Sequence, residues 1–436
     1  MINAINTAIK NKLSLSPGWV IILFAAFVTF AVYTCMYGYR KAFTAAGYNH
    51  LSFLGIDYKV WLVSAQVLGY MCSKFYGIKF IAEAGRSKRS TVIVVLILSA
   101  WIALLLFALV PAPYNIPFMF LNGFPLGMIW GLVFSFVEGR RATEFMGAVL
   151  ASSFIFASGF AKTIGVWLMQ DMGVPAVWMP FMAGAIYLLP LLLFTSLLEA
   201  IPAPTQFDME QRCERKPMNK QHRSYFLRTF APGLVALIIG YILLTILRDF
   251  RDNFPPEILG EVGLGSKAAL FTQTETLVAI AVLLVVSLLM FIKSNYKAFY
   301  FNHIIIVAGL GLAGLSTLLF NLQFLSGFAW YLCIGTGLYM AYIPINCLYF
   351  DRMIATFRLT ANVGFVMYVA DSFGYLGSVL VLFVKEFSGF TVSWVHFYTW
   401  CLYIATTVGI LCTLYALGYY RRLYRNSPLL LKMANA

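Results

Sequence analysis

Runs of about 20 predominantly apolar residues recur along the whole chain, each long enough as a helix to cross roughly 30 Å of hydrocarbon. Twelve such runs are read: 18–46, 58–82, 91–111, 117–138, 145–170, 176–199, 229–254, 267–291, 299–322, 326–350, 358–386 and 392–419. They are continuously apolar instead of alternating with a period of two, so they predict helices and not the strands of a barrel. The longest polar stretch, 200–228, falls between the sixth and seventh runs. The pattern predicts an all-α integral membrane protein with twelve transmembrane helices in two six-helix bundles. Residues 1–199 and 229–436 would form the bundles, and 200–228 would link them.

Composition agrees with this reading: 61% of the residues are hydrophobic and 11% charged, which excludes a soluble protein of this length. The formal charge of +14 suggests nucleic acid only until its distribution is read. Basic residues gather in alternate loops, as the positive-inside rule expects. One side holds Lys10 and Lys12; Arg86, Lys88 and Arg89; Arg140 and Arg141; Arg212, Arg215, Lys216, Lys220 and Arg223; Lys293 and Lys297; Arg352; and Arg421, Arg422 and Arg425. The other side has little beyond Lys59, Lys267 and Lys385. Both termini are therefore expected in the cytoplasm, which needs an even number of spans. Residues 1–17 lack a basic head followed directly by an apolar stretch and a small-residue cleavage site, so they read as a short cytoplasmic lead-in and not as a signal peptide. The seven cysteines, Cys35, Cys72, Cys213, Cys333, Cys347, Cys401 and Cys412, are scattered without a CxxC, so neither a disulfide framework nor a metal site is expected.

The halves read as weak repeats. Segment 123–165 carries Pro125, then Glu138 with Arg140, then Lys162 shortly before Gly165. Segment 335–377 carries Pro344, then Asp351 with Arg352, then Asp371 shortly before Gly377. The first run ends with Arg40, and the seventh with Arg248 and Arg251. A duplication of six helices, with substrate groups at the midplane on corresponding helices, is how many secondary transporters are built.

The charges inside these runs carry the functional argument. A cation at the centre of a bilayer helix costs roughly 2.5–3.5 kcal/mol on insertion scales. Arg40 and Lys41 lie in YGYRKAF (37–43), with Tyr37 one turn before Arg40. Arginine donates two parallel hydrogen bonds to a carboxylate or phosphate, although a snorkelling anchor at the membrane surface is the competing reading. Arg248 and Arg251 are three apart and share a helix face, with Asp249 and Asp252 beside them, so an interfacial ion-pair cluster competes there. Tyr70 and Lys74 are four apart near the middle of the second run, where snorkelling explains little. Lys162 sits one turn after Ser158. Asp371 is the clearest buried acid and Glu275 lies one turn into its run; either balances the cations or carries a proton. Lys162 is the first partner expected for Asp371. GLGLAG (309–314) fits a dinucleotide motif but lies inside an apolar run with no strand before it, so it reads as small-residue helix packing. GEVGLGSK (260–267) misses the phosphate-loop spacing by one position. The histidines, His50, His222, His303 and His396, have no ligand spacing.

These pieces resemble the major facilitator superfamily and, within it, the organophosphate:phosphate antiporters. That family's helix-one pattern Y-x-x-R-K-x-F is matched by Tyr37, Arg40, Lys41 and Phe43. Its helix-two pattern is matched by Tyr70, Lys74 and Phe75, and its helix-eight acid by Glu275. FGYLG (373–377) resembles the start of its helix eleven. Its helix-seven arginine corresponds best to Arg248, ahead of Asp252 and Pro255, with Arg251 the competing choice. The chain departs from the pattern at Ala82 and Glu83, where the superfamily has Asp-Arg, and at Ser158, where the family has a histidine.

The expectation is a secondary transporter, not an enzyme, with no cofactor, no metal and no nucleic-acid partner. It would sit as a monomer in a cell or inner membrane and move a small organic anion, phosphate or a phosphorylated metabolite. Arg40, Arg248, Lys74, Tyr70, Tyr37, Lys41, Arg251 and Lys162 would contact the substrate, and Asp371 and Glu275 would serve coupling or charge balance. A non-transporting membrane sensor built on the same fold is the alternative.

Overall fold

The computed structural model describes residues 2–48, 51–83, 89–137, 140, 142–203, 220–265, 268–357, 363–387 and 393–426. Glu138, Arg141, Lys267 and most of the predicted linker, 204–219, lie outside the described residues.

An amphipathic helix, α1 (Ile2–Ser14), precedes the first long one, α2 (Gly18–Lys41). Then follow α3 (Tyr58–Glu83), α4 (Arg89–Leu109), α5 (Ile116–Leu126), α6 (Ile129–Phe134), α7 (Thr143–Gln170) and α8 (Met179–Leu198). The second series is α9 (Lys220–Asn253), the short α10 (Pro255–Glu261), α11 (Ala268–Met290), α12 (Asn295–Asn321), α13 (Gly327–Pro344), α14 (Phe350–Phe357), α15 (Val363–Phe387) and α16 (Trp394–Arg425). A two-stranded hairpin pairs Ser52–Phe53 with Ile56–Asp57 ahead of α3. Its turn needs positive φ at both central residues, 54° at Leu54 and 76° at Gly55, as a hairpin of this type demands. The apolar-run pattern does not reveal this hairpin, which lies between runs.

Among the described residues, nine helices are long and apolar enough to cross a membrane. The helices α3, α13 and α15, where the sequence also predicts spans, are not among those nine. These helices carry buried polar groups: Ser64, Gln66, Ser73 and Lys74 on α3, Tyr331, Tyr339 and Tyr342 on α13, and Asp371, Ser372 and Ser378 on α15. Such groups suit helices that face a polar interior and not lipid.

The helix contacts repeat from one series to the other. In the first, α2 packs on α7 and α8, α5 on α3 and α4, and α4 on α8. In the second, α9 packs on α15 and α16, α13 on α11 and α12, and α12 on α16. The corresponding helices are thus α2 with α9, α3 with α11, α4 with α12, α5 with α13, α7 with α15, and α8 with α16. The series meet along two equivalent seams, α7 against α11 and α15 against α3. The result is an all-α multi-pass membrane protein with pseudo-symmetric packing.

Small residues allow the closest approaches. A Cβ on Gly159 of α7 would lie 2.5 Å from the Phe271 carbonyl oxygen of α11, so that seam requires glycine. Gly309, in the GLGLAG stretch of α12, would bring a Cβ within 2.5 Å of the Gly337 carbonyl oxygen of α13. The outer faces carry exposed apolar side chains such as Phe27, Leu189, Leu284, Leu288 and Leu411, as lipid-facing helices should. Both proline-bearing repeat helices are interrupted. The stretch with Pro125 breaks between α5 and α6, and Pro344 is followed by one π turn, Ile345–Tyr349, before α14.

Candidate anion site between the helix series

A polar cavity lies between the series. It is lined by Tyr33, Tyr37 and Arg40 of α2, Tyr70 and Lys74 of α3, Trp130 of α6, Phe154 of α7, Arg248 of α9, Tyr342 of α13, Asn346 of the π turn, and Asp371 and Tyr375 of α15. Most of the lining comes from the less apolar helices and from the corresponding pair α2 and α9.

Arg40 is buried against aromatic faces. Its guanidinium carbon lies 3.9 Å from the Tyr70 ring centroid and 5.7 Å from that of Tyr37. Such stacking suits arginine, which is planar and weakly hydrated. The Nε is buried with no hydrogen-bond partner, and among the described residues no carboxylate lies within ion-pair distance of the side chain.

Arg248 mirrors it from α9. Its guanidinium carbon is 4.3 Å from the Tyr342 centroid and 5.8 Å from that of Tyr375. One nitrogen donates to Asp249 Oδ1 at 2.7 Å, and Asp249 Oδ2 accepts from Ser378 at 3.2 Å. The Tyr70 and Tyr375 rings meet edge-on, centroids 5.2 Å apart, and so join the two arginine stacks across the α3–α15 seam.

Asp371 pairs with Lys74, Nζ to Oδ2 3.3 Å, and also accepts a hydrogen bond from the Tyr241 hydroxyl. The expected partner, Lys162, is elsewhere. Residues on the corresponding helices α7 and α15 sit on different seams, so Lys162 and Asp371 do not face each other. Lys162 Nζ instead donates to Asp252 Oδ1 at 2.8 Å and to Ser158 Oγ at 2.8 Å. Lys41 reaches the same carboxylate, 2.6 Å from Oδ2, and donates to Asn253 at 2.7 Å.

The cavity therefore receives Arg40, Arg248, Lys74, Tyr70, Tyr37 and Asp371 from the sequence-predicted set. It does not receive Lys41, Lys162, Arg251 or Glu275. Arg251 is buried against Glu275, Nη1 to Oε1 2.8 Å, and stacks 4.1 Å from the Tyr331 centroid. Of the two competing arginines, Arg248 lines the cavity. Lys59, counted with the loop cations in the sequence, is fully buried and pairs with Glu257 at 2.6 Å. Five lining residues were not anticipated as site residues: Tyr33, Trp130, Phe154, Tyr342 and Asn346. Tyr375 lies inside the FGYLG match. The signal available was the recurrence of tyrosine on faces that also carry a charge.

Beyond the cavity, the polar contacts between series gather at the end where α2 and α9 finish. Lys41 and Lys162 share Asp252, Lys59 holds Glu257, and the Asp57 backbone N–H donates to Glu386 at 3.2 Å. Trp61 and Phe383 add an edge-on ring contact with centroids 5.3 Å apart. That end is tied shut.

Similar architectures are found among solved transporters. The crystal structure of a D-xylose-proton symporter aligns at TM-score 0.63 and 14% identity, covering 92% of this chain and 97% of that one. The proton:xylose symporter XylE bound to 6-bromo-6-deoxy-D-glucose aligns at 0.62 and 14%, covering 91% and 95%. The nucleoside transporter NupG aligns at 0.58 and 13%, covering 92% and 99%. At such identities the likeness shows the fold, which is that of the major facilitator superfamily. No curated protein matches the sequence. A family model described as a family of unknown function, DUF5690, matches residues 42–423, and the chain belongs to that family.

Proposed function

We propose that the protein is a secondary transporter for a small organic anion, working by alternating access. One observation carries the reading: Arg40 and Arg248, on the corresponding helices α2 and α9, both line one cavity between the helix series. Tyrosine rings hold the guanidinium planes in place, and Arg40 has no carboxylate of its own among the described residues. A cation that costs several kcal/mol in a bilayer and is left without a counter-ion is explained by an anion that comes and goes.

In this reading α3, α13 with its continuation, and α15 cross the membrane along with the nine more apolar spans. The chain then has twelve spans in two bundles, 1–199 and 229–436, joined by a cytoplasmic linker over 200–228. The basic loops put both termini in the cytoplasm, and the location is a cell or inner membrane. Arg40 and Arg248 hold the anion, with Lys74, Tyr70 and Tyr37 beside it. Asp371 balances Lys74. Lys41, Lys162, Arg251 and Glu275 act at one remove: the lysines close one end through Asp252, and Arg251 with Glu275 stiffens the second bundle. Alternating access then consists of breaking the Asp252 and Glu257 links while the opposite end closes. The resemblance to organophosphate antiporters makes phosphorylated metabolites one class to test and carboxylates the other.

The test is ligand-induced thermal stabilisation of the purified full chain across phosphorylated and carboxylated metabolites, compared with Arg40→Lys. Stabilisation by an anion in wild type, lost in Arg40→Lys, is expected. Equal stabilisation of both proteins would remove Arg40 from the site.

A further inference from the structure

We infer that the central site takes a singly charged organic anion with a planar apolar body, an aromatic carboxylate being the simplest, and discriminates against doubly charged phosphate esters. The inference rests on the anion-transporter reading above and narrows its substrate class.

Three cations line the cavity, Arg40, Lys74 and Arg248. Two carboxylates are bonded directly to them: Asp371 lies on Lys74 at 3.3 Å and Asp249 on Arg248 at 2.7 Å. One positive charge, that of Arg40, is left over. A buried site is most stable when its charges cancel, because each uncompensated charge retains its desolvation penalty. A single negative charge on the ligand cancels the surplus. A phosphate monoester, carrying between one and a half and two negative charges near neutral pH, overshoots it. A second surplus charge, on the Lys41 and Lys162 pair that shares Asp252, does not line the cavity; its ammonium groups are held by hydrogen bonds to Ser158 and Asn253.

Part of the cavity lining is aromatic. The rings of Tyr33, Trp130 and Phe154 form one cluster, with centroids 5.3 Å apart for Tyr33 and Trp130, 5.3 Å for Tyr33 and Phe154, and 4.6 Å for Trp130 and Phe154. Aromatic faces gain most from a flat, apolar partner. They offer little to the hydroxyl-rich body of a sugar phosphate, whose several donors and acceptors would need as many polar partners on burial. A ligand with its charge on Arg40 and its ring on this cluster satisfies both parts of the cavity.

The experiment measures binding of benzoate, phenyl phosphate, acetate and benzyl alcohol to the full chain in detergent, in wild type and in Asp371→Asn. Benzoate is expected to bind at least tenfold more tightly than phenyl phosphate and than acetate, with no binding of benzyl alcohol. Removing one negative charge in Asp371→Asn should shift the ratio of benzoate to phenyl phosphate affinity at least tenfold toward the phosphate. Asp249→Asn makes the same charge change if that variant does not fold. Tighter binding of phenyl phosphate than benzoate in wild type, or a ratio that does not move in the charge variants, would overturn the single-charge assignment and leave the anion-transporter reading standing. Acetate binding as tightly as benzoate would overturn the planar-body assignment alone. Binding of benzyl alcohol in preference to every anion would overturn both readings.

Discussion

Arg40 and Lys41 are neighbours on α2, yet they face different surroundings. A helix turns roughly 100° per residue, so Arg40 reaches the cavity while Lys41 reaches Asp252 on α9. The same sorting separates Arg248 from Arg251, which lie close on the helix but find Asp249 and Glu275 respectively. Arg40→Lys keeps the charge and loses both the planar stack on Tyr70 and the two-pronged donor. Anion affinity is expected to fall tenfold or more, about 1.4 kcal/mol, as read by titration. The Lys74–Asp371 pair makes a second prediction. Asp371→Asn leaves Lys74 buried beside a neutral amide and is expected to cost about 3 kcal/mol of stability. Adding Lys74→Met should restore part of that loss in a thermal melt, whereas adding Lys162→Met should not. Rescue by Lys162→Met instead would contradict the observed pairing. Sequence made the charged residues legible because charge in an apolar run is conspicuous. It did not show their pairing, since partners such as Lys162 and Asp252 lie 90 positions apart and meet only when the two helix series come together. The aromatic wall was illegible for the opposite reason: Tyr33, Trp130 and Phe154 look like ordinary apolar span residues until the cavity exists.

At the level of elements, the apolar runs located the long helices, because about 20 apolar residues have few stable alternatives in lipid. Their interruptions were only partly legible. Pro125 and Pro344 marked the two helices that break, but the π turn after Pro344, which delivers Asn346 to the cavity, has no signature in the pattern. The element contact with the clearest consequence is the closure at the ends of α2, α7 and α9. Asp252 serves two lysines there, so Asp252→Asn removes both ion pairs in one change. The prediction is that a cysteine at Thr44, fully buried in the turn after α2, becomes labelled several-fold faster by a membrane-impermeant maleimide in Asp252→Asn than with Asp252 intact. An unchanged rate would mean that the closed end does not depend on this carboxylate. The α7–α11 seam supplies a control. Gly159→Val must push against the Phe271 backbone and is expected to lower stability without changing the ratio of affinities for different anions.

At the scale of the whole molecule, the repeat of contacts explains why the two cavity arginines fall on corresponding helices: pseudo-symmetric packing places α2 and α9 alike, and Arg40 and Arg248 follow. The basic bias of the loops predicts that cysteines near Lys216 are labelled only from the cytoplasmic side and those near Gly173 only from outside. Transport itself is tested most directly by counterflow. Proteoliposomes carrying the full chain would be preloaded with an unlabelled anion that stabilises the protein, and entry of the same anion in labelled form would be followed. Alternating access requires saturable counterflow in wild type that is lost in Arg40→Lys. Binding of the anion with no counterflow in wild type would contradict it.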